Sequence, residues 1–278
     1  MSQPDDIPAS ATSLAEKKRL LLQKRLSRSV PATSASTPTI TPQPANSKAL
    51  ASLGQQRIWL LDRISGDSPS FNVTSSFAIN SPVDADALEI ALNKVIARHE
   101  VLRSWYSFED SELLLHRLPT LELTIEKLSC DDPASLEGTT REFVRKPFNI
   151  GKPPLLRMAL ISAAEDRHIL TLSIHDIIFD KWSIKLFWKE FTAFYEQETL
   201  GTPAAVPELP IQFADFSRWQ RDWIEQSGQH EKQLAYWRKQ LADPPPPIDL
   251  PTDRPYGKTI SDIGALCLLY TSPSPRDS

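Results

Sequence analysis

Glycine and cysteine are scarce in this sequence, which has 8 glycines and 2 cysteines among 278 residues. It contains no Gly-rich phosphate loop and no Gly-x-Ser-x-Gly elbow, so the signatures of nucleotide-loop enzymes and of one large class of serine hydrolases are absent. Cys130 and Cys267 form no paired-cysteine metal motif and suggest no disulfide framework. Isolated thiols are typical of a reducing compartment, and we expect a cytoplasmic protein.

An excess of positive charge and long apolar runs are absent as well. The formal net charge is -4, which gives no electrostatic reason to expect a nucleic-acid partner. No apolar run approaches the roughly 20 residues that a membrane helix needs, and no apolar signal segment follows the polar N-terminus. The five histidines have no metal-ligand spacing. We therefore expect neither a membrane span nor a bound metal.

Proline, in contrast, is abundant, and the 24 prolines cluster at what we interpret as boundaries. Ser13 and Glu16 form a capping-box pattern that predicts a short, basic, amphipathic helix. The Ser/Thr/Pro-rich stretch behind it predicts a disordered linker, which completes residues 1–47. We expect a folded domain over 48–265 and a foreign or unstructured tail over 266–278.

Strand-like and helix-like patterns alternate along the folded part. Alternating apolar and β-branched residues predict strands at 71–79, 104–110, 112–118, 121–128, 155–163 and 167–175. Helical spacing predicts helices at 54–64, 84–102, 135–146, 180–198 and 213–241, the last interrupted at Gly228. The second of these helices has one apolar stripe, formed by Leu88, Ala91, Leu92, Val95 and Ile96. The second and third strands predict a hairpin that turns at Glu109 and Asp110. This order indicates an α/β fold with a mixed sheet flanked by helices.

Four segments carry recognisable motifs. Residues 52–61 contain Ser-x-x-Gln-x-Arg-x-Trp, and residues 98–103 are Arg-His-Glu-Val-Leu-Arg. Residues 173–183 place His175 five residues before Asp180, and residues 213–220 are Phe-Ala-Asp-Phe-Ser-Arg-Trp-Gln. In their order and spacing these segments resemble condensation domains of non-ribosomal peptide synthetases, whose His-His-x-x-x-Asp-Gly signature falls at 173–183 and whose Tyr-x-Asp-Tyr-x-x-Trp-Gln stretch falls at 213–220. The resemblance implies a lobe similar to chloramphenicol acetyltransferase. The second lobe, which completes an active-site tunnel in the family, is expected to be missing.

The resemblance also implies a function and partners. The intact parent would form an amide bond between a carrier-bound acyl donor and an aminoacyl acceptor. Both substrates would arrive on the phosphopantetheine of partner carrier domains, so no cofactor is expected to bind this chain directly, and adjacent synthetase modules would be further partners. Two alternatives stay open, a non-catalytic lobe that binds carriers or acts as a scaffold, and a free-standing acyltransferase that uses coenzyme A.

Site residues carry over from the resemblance one at a time. In the family, the second histidine of the signature serves the reaction centre, and its position here is taken by Asp176. His175 stands for the first histidine and Asp180 for the aspartate, which the resemblance pairs with Arg103. Trp182 and Ser183 complete the expected active-site surroundings.

Asp176 departs from the family's signature at the one position that the resemblance implies for the reaction centre. A carboxyl group has an unperturbed pKa of about 3.9 and an imidazole about 6.5, so aspartate is the poorer base at neutral pH unless burial raises its pKa. Heterocyclising relatives have an aspartate at the start of the signature, but that aspartate would fall at His175. Three interpretations remain: the change inactivates the site, it alters the chemistry, or a single-base change turned a histidine codon into an aspartate codon.

Overall fold

The elements of the fold come from a computed structural model, which describes residues 39–44, 48–66, 68–130, 132–164, 166–249 and 251. The helix expected near the N-terminus and the tail expected over 266–278 lie outside the described residues. The helices are α1 Leu53–Ser65, α2 Ala85–Arg98, α3 Leu136–Arg145, α4 Ser183–Leu200, α5 Phe213–Gln226 and α6 Gln229–Gln240. The strands are β1 Ala49–Leu50, β2 Asn72–Ile79, β3 Ser104–Glu109, β4 Glu112–Arg117, β5 Glu126–Ser129, β6 Leu156–Ala164 and β7 Arg167–His175.

A four-stranded sheet in the order β2-β7-β6-β5 forms the centre of the fold. β7 pairs antiparallel with both β2 and β6, whereas β5 runs parallel to β6. Because side chains alternate along a strand, Leu170, Leu172 and Ile174 of β7 join the main core, and Ile169 packs in a smaller cluster with α3. Helices therefore cover the sheet, and the α/β class with a mixed sheet is confirmed.

Helix α2 supplies one wall of the main core. Asp84 caps it, since one carboxylate oxygen accepts hydrogen bonds from the backbone N–H of Asp86 and Ala87. The buried side chains recur at helical spacing, at Ala87, Leu88, Ala91, Leu92, Val95 and Ile96. This stripe packs with Phe187 and Phe191 of α4 in the same apolar cluster, so the sequence pattern predicted the core face of α2 correctly.

The predicted hairpin and the predicted helix break are both confirmed. β3 and β4 pair antiparallel up to Glu109 and Glu112 in a second sheet, of order β1-β4-β3. The turn lies one residue later than predicted, because Glu109 still pairs with Glu112 in the ladder. The two turn residues are Asp110 and Ser111, and both have positive φ, as a tight hairpin turn requires. α5 and α6 are separated at Gly228, whose φ of 69° favours glycine.

The strand predicted at 121–128 is wrong over its first half. Only Glu126–Ser129 pairs with β6. Upstream, the amide of Asn93 accepts a hydrogen bond from Leu123 N–H and donates one to Leu123 O, while Glu89 accepts from Ile125 N–H. Side chains of α2 thus satisfy the backbone groups that a strand partner would otherwise take.

Candidate active site

The signature segment forms the junction between β7 and α4. β7 pairs with β2 as far as His175, which lies opposite Asn72, and His175 N–H donates to Leu155 O at 2.9 Å. The chain then makes one 3-10 turn, Asp176–Ile178, before α4 begins at Ser183. The last residue of a buried strand and the first residues of a tight turn are thereby fixed next to each other.

The imidazole of His175 is buried, with 2% of the residue exposed. Its Nδ1 accepts a hydrogen bond from Ile177 N–H at 3.1 Å, and its Nε2 lies 3.3 Å from Oδ1 of Asp62 on α1. A nitrogen that accepts carries no proton, so Nε2 is the donor to Asp62. Burial lowers the pKa of His175, against the opposing effect of Asp62, which keeps the ring neutral at neutral pH.

The turn is held from its other side by a buried polar network. Gln55 of α1 donates from Nε2 to Ile177 O at 3.1 Å and to the Tyr106 hydroxyl oxygen at 2.6 Å. Gln55 Oε1 accepts from Ser52 N–H, which completes the capping box at the start of α1. Burial raises the pKa of Tyr106 well above its usual range, so the hydroxyl stays protonated and available as a donor.

Asp176 faces a cleft of about 320 Å³ between the first turn of α1, the 3-10 turn and α5. Asp180 and Ser183 line the same cleft, and none of the described residues that line it is a lysine or an arginine. Asp176 is half-buried. Burial raises the pKa of its carboxyl group, the nearby His175 lowers it, and the charge of Asp180 raises it further.

Asp180 and Ser183 act together at the start of α4. One carboxylate oxygen of Asp180 accepts from Ser183 N–H at 2.7 Å and from the Ser183 hydroxyl at 2.6 Å. This satisfies a backbone donor at the helix terminus and places negative charge where the helix dipole favours it. Trp182 points to solvent, with 85% of the residue exposed.

The Arg103–Asp180 pair that the resemblance implied does not form. The Arg103 guanidinium donates to the carbonyl oxygens of Leu118, Ile96 and Ala97 and lies 3.8 Å from Glu100. Arg103 thus links the end of α2 to Leu118, the residue after β4. The last carbonyl groups of a helix need external donors, which Arg103 supplies to Ile96 and Ala97. Asp180 is satisfied locally by Ser183 instead.

Asp62 and Gln55 also belong to the site, although the sequence did not predict either of them as a site residue. They are seven residues apart, so they lie on one face of α1, and both contact the residues that flank Asp176. Gln55 is part of the segment that carries the resemblance. The available signal was a polar pair at this spacing, one member of which lies inside the segment that carries the resemblance.

The described residues contain no group of three or more histidine, cysteine or acidic side chains that could hold a metal ion. Within the same part of the chain, no helix combines the length and the apolar character needed to cross a membrane.

Comparison with known proteins identifies the family. A family described as "Condensation domain" matches residues 46–263. A linear gramicidin synthase of Brevibacillus parabrevis is 34% identical over 243 residues, which are 85% of this chain and 3% of that protein. Phosphinothricin tripeptide synthetase PhsC of Streptomyces viridochromogenes is 34% identical over 268 residues, which are 94% of this chain and 24% of that protein. The chain therefore spans a small part of the synthetases that it matches.

Solved structures give the same result at the level of the fold. The X-domain in complex with OxyB from teicoplanin biosynthesis has a TM-score of 0.71 at 24% identity, covering 80% of this chain and 49% of that chain. The first condensation domain of the CDA synthetase has a TM-score of 0.64 at 19% identity, covering 75% and 53%. This chain thus spans about half the length of those two structures, and it belongs to the condensation-domain family.

Proposed function

We propose that this chain is one lobe of a condensation domain whose intact parent joins a carrier-bound acyl donor to an aminoacyl acceptor on a second carrier. The observation that supports the proposal is the position of residue 176. It stands on a turn held by His175 on one side and by Gln55 on the other, and it faces an open cleft. A reacting group held in this way loses little freedom when substrate arrives.

Amide formation from a thioester requires a base and a route for the proton that the amine loses. The acceptor amine attacks the thioester carbonyl, a C–N bond forms, the C–S bond breaks, and the proton lost by the amine ends on the departing thiol. An ionised Asp176 accepts a proton but donates no hydrogen bond to the developing oxyanion. The raised pKa of its carboxyl group moves it toward the pKa of an imidazole. The hydrogen bond to the oxyanion is still missing when the carboxylate is ionised, and for that reason we propose that Asp176 supports this reaction only weakly.

Helix α1 offers a surface for a carrier domain beside the cleft. One side of α1 lines the cleft through Gly54, Gln55 and Ile58. An adjacent side, with Leu53, Arg57 and Leu60, lines a groove of about 520 Å³. Exposed apolar side chains next to an arginine are suited to a small acidic partner that must be held briefly.

The test uses the intact parent protein, once with Asp176 and once with Asp176→His, and two carrier domains loaded with acyl and aminoacyl groups. We expect amide product from the histidine variant, and a rate lower by about 10²-fold or more from the aspartate form, since a positioned base contributes about that factor. Product is measured by mass spectrometry of the acceptor carrier. Failure of the histidine variant to form any amide would exclude the proposed reaction.

A second candidate is a binding lobe without catalysis, and Asp176 is the observation that favours it. The X-domain from teicoplanin biosynthesis, whose fold is similar, forms a complex with OxyB, so this fold is compatible with a binding role. On this proposal the 278-residue chain binds a loaded carrier, as measured by calorimetry, and Arg57→Glu weakens that binding while Arg238→Glu on α6 does not. Amide formation by the Asp176 parent at the rate of its histidine variant would contradict this candidate.

A further inference from the structure

Asp62 and His175 form a buried pair that touches the turn of Asp176. The Asp62 side chain is 14% exposed and that of His175 is 2% exposed. The rings of Phe71 and Phe148 lie 6.1 Å and 6.3 Å from the imidazole. The imidazole therefore has apolar rings as neighbours, and Asp62 is its hydrogen-bond partner outside the segment. Neither member of the pair lines the cleft that Asp176 faces.

The two ring nitrogens of His175 have different tasks. Nδ1 closes the turn by accepting from Ile177 N–H, which it does only while it carries no proton. The Asp62 carboxylate accepts a hydrogen bond from His175 Nε2–H, and it therefore favours the tautomer with the proton on Nε2. If the proton moved to Nδ1, two donors would face each other between the ring and Ile177, and a buried N–H would lose its acceptor.

We propose that Asp62 is a positioning residue, which holds His175 in the Nε2–H tautomer and thereby keeps the turn closed with residue 176 aimed into the cleft. The importance of residue 176 rests on the proposed function, whereas the tautomer and the closure of the turn do not. Gln55 and Tyr106 hold Ile177 O from the other side, so both backbone groups of Ile177 are fixed by side chains.

The experiment is NMR of the full 278-residue chain with ¹⁵N-labelled histidine, compared with Asp62→Asn, Asp62→Leu and the surface control Asp222→Leu. The signal of His175 is assigned by its loss in His175→Gln. We expect the Nε2–H tautomer in the unchanged chain, in the control and in Asp62→Asn, because an amide oxygen also accepts. Asp62→Leu should lose the single tautomer, and the Ile177 amide should exchange with solvent at least tenfold faster.

A Nδ1–H tautomer in the unchanged chain would overturn the proposal, and so would an Asp62→Leu spectrum identical to that of the control. If Asp62→Leu does not fold, Asp62→Ser carries the same expectation, because its side chain is too short to reach the ring. A parent enzyme that forms no amide would remove the proposed function, yet it would leave the tautomer result as it stands.

Discussion

At the scale of single residues, Asp176 places a carboxyl group where burial and Asp180 oppose its ionisation. Its pKa is raised in the folded state, so the fold is favoured when the group is protonated and is destabilised as the pH rises above 3.8 through the folded pKa. We expect Asp176→Asn to raise the free energy of unfolding at pH 7, by under about 1 kcal/mol because solvent screens a half-exposed group. Urea denaturation measures it.

The gain from Asp176→Asn should shrink as the pH falls and vanish below 3.8, where the aspartate is protonated in both states. Asp222→Asn on the surface of α5 is the matched control, since it also replaces one carboxylate with an amide. A gain of the same size at pH 3 and pH 7 would mean that the cause is packing and not charge.

His175 predicts a pH dependence with the opposite sign. Burial lowers the pKa of His175 below 6.5. Near that pH the unfolded chain therefore binds a proton more readily than the folded chain does. The free energy of unfolding falls as the pH drops below about 6.5 for this reason. The slope from this one group is at most about 1.4 kcal/mol per pH unit. The contribution of His175 is isolated by urea denaturation of the unchanged chain and of His175→Gln at pH 5 and pH 7, which gives the free energy of unfolding of each. Parallel pH profiles would contradict the prediction.

At the scale of elements, the sequence predicted what local spacing controls and missed what distant side chains control. The stripe from Leu88 to Ile96 and the break at Gly228 followed from periodicity and from the conformational freedom of glycine. Asp176 lies beside a cleft, whereas its part in a reaction stays a prediction. The contact of Asp62 with His175 joins residues 113 positions apart, which no local pattern encodes.

The segment before β5 shows the same limit and gives a prediction. Alternation in 121–128 favoured a strand, yet Asn93 on α2 takes both backbone groups of Leu123. We expect Asn93→Ala to lower the free energy of unfolding by about 1–3 kcal/mol, because two partly buried backbone groups lose their partner. Lys94→Ala, which removes a more exposed ion pair with Glu198, should cost less than about 1 kcal/mol. Equal effects in thermal denaturation would refute this account.

At the scale of the whole molecule, large apolar side chains remain on the surface of the described residues. Trp182 is 85% exposed and Leu186 is 47% exposed, both at the start of α4, while Ile64 on α1 is 74% exposed. Apolar surface of this kind is usually covered by a partner or leads to association. We expect the isolated 278-residue chain to self-associate at micromolar concentration, as measured by sedimentation velocity.

The triple variant Ile64→Lys, Trp182→Ser and Leu186→Lys should restore a monomer, because it replaces exposed apolar area with charged or polar groups. A matched variant with three changes on polar surface, at Arg141, Asp222 and Lys239, should associate as the unchanged chain does. The exposed apolar residues would not be the cause if the unchanged chain were a monodisperse monomer with one sharp thermal transition. Association driven by these residues would instead mean that the exposed apolar residues of α1 and α4 form a contact surface for another protein or domain. A lobe that packs against a second lobe needs such a surface.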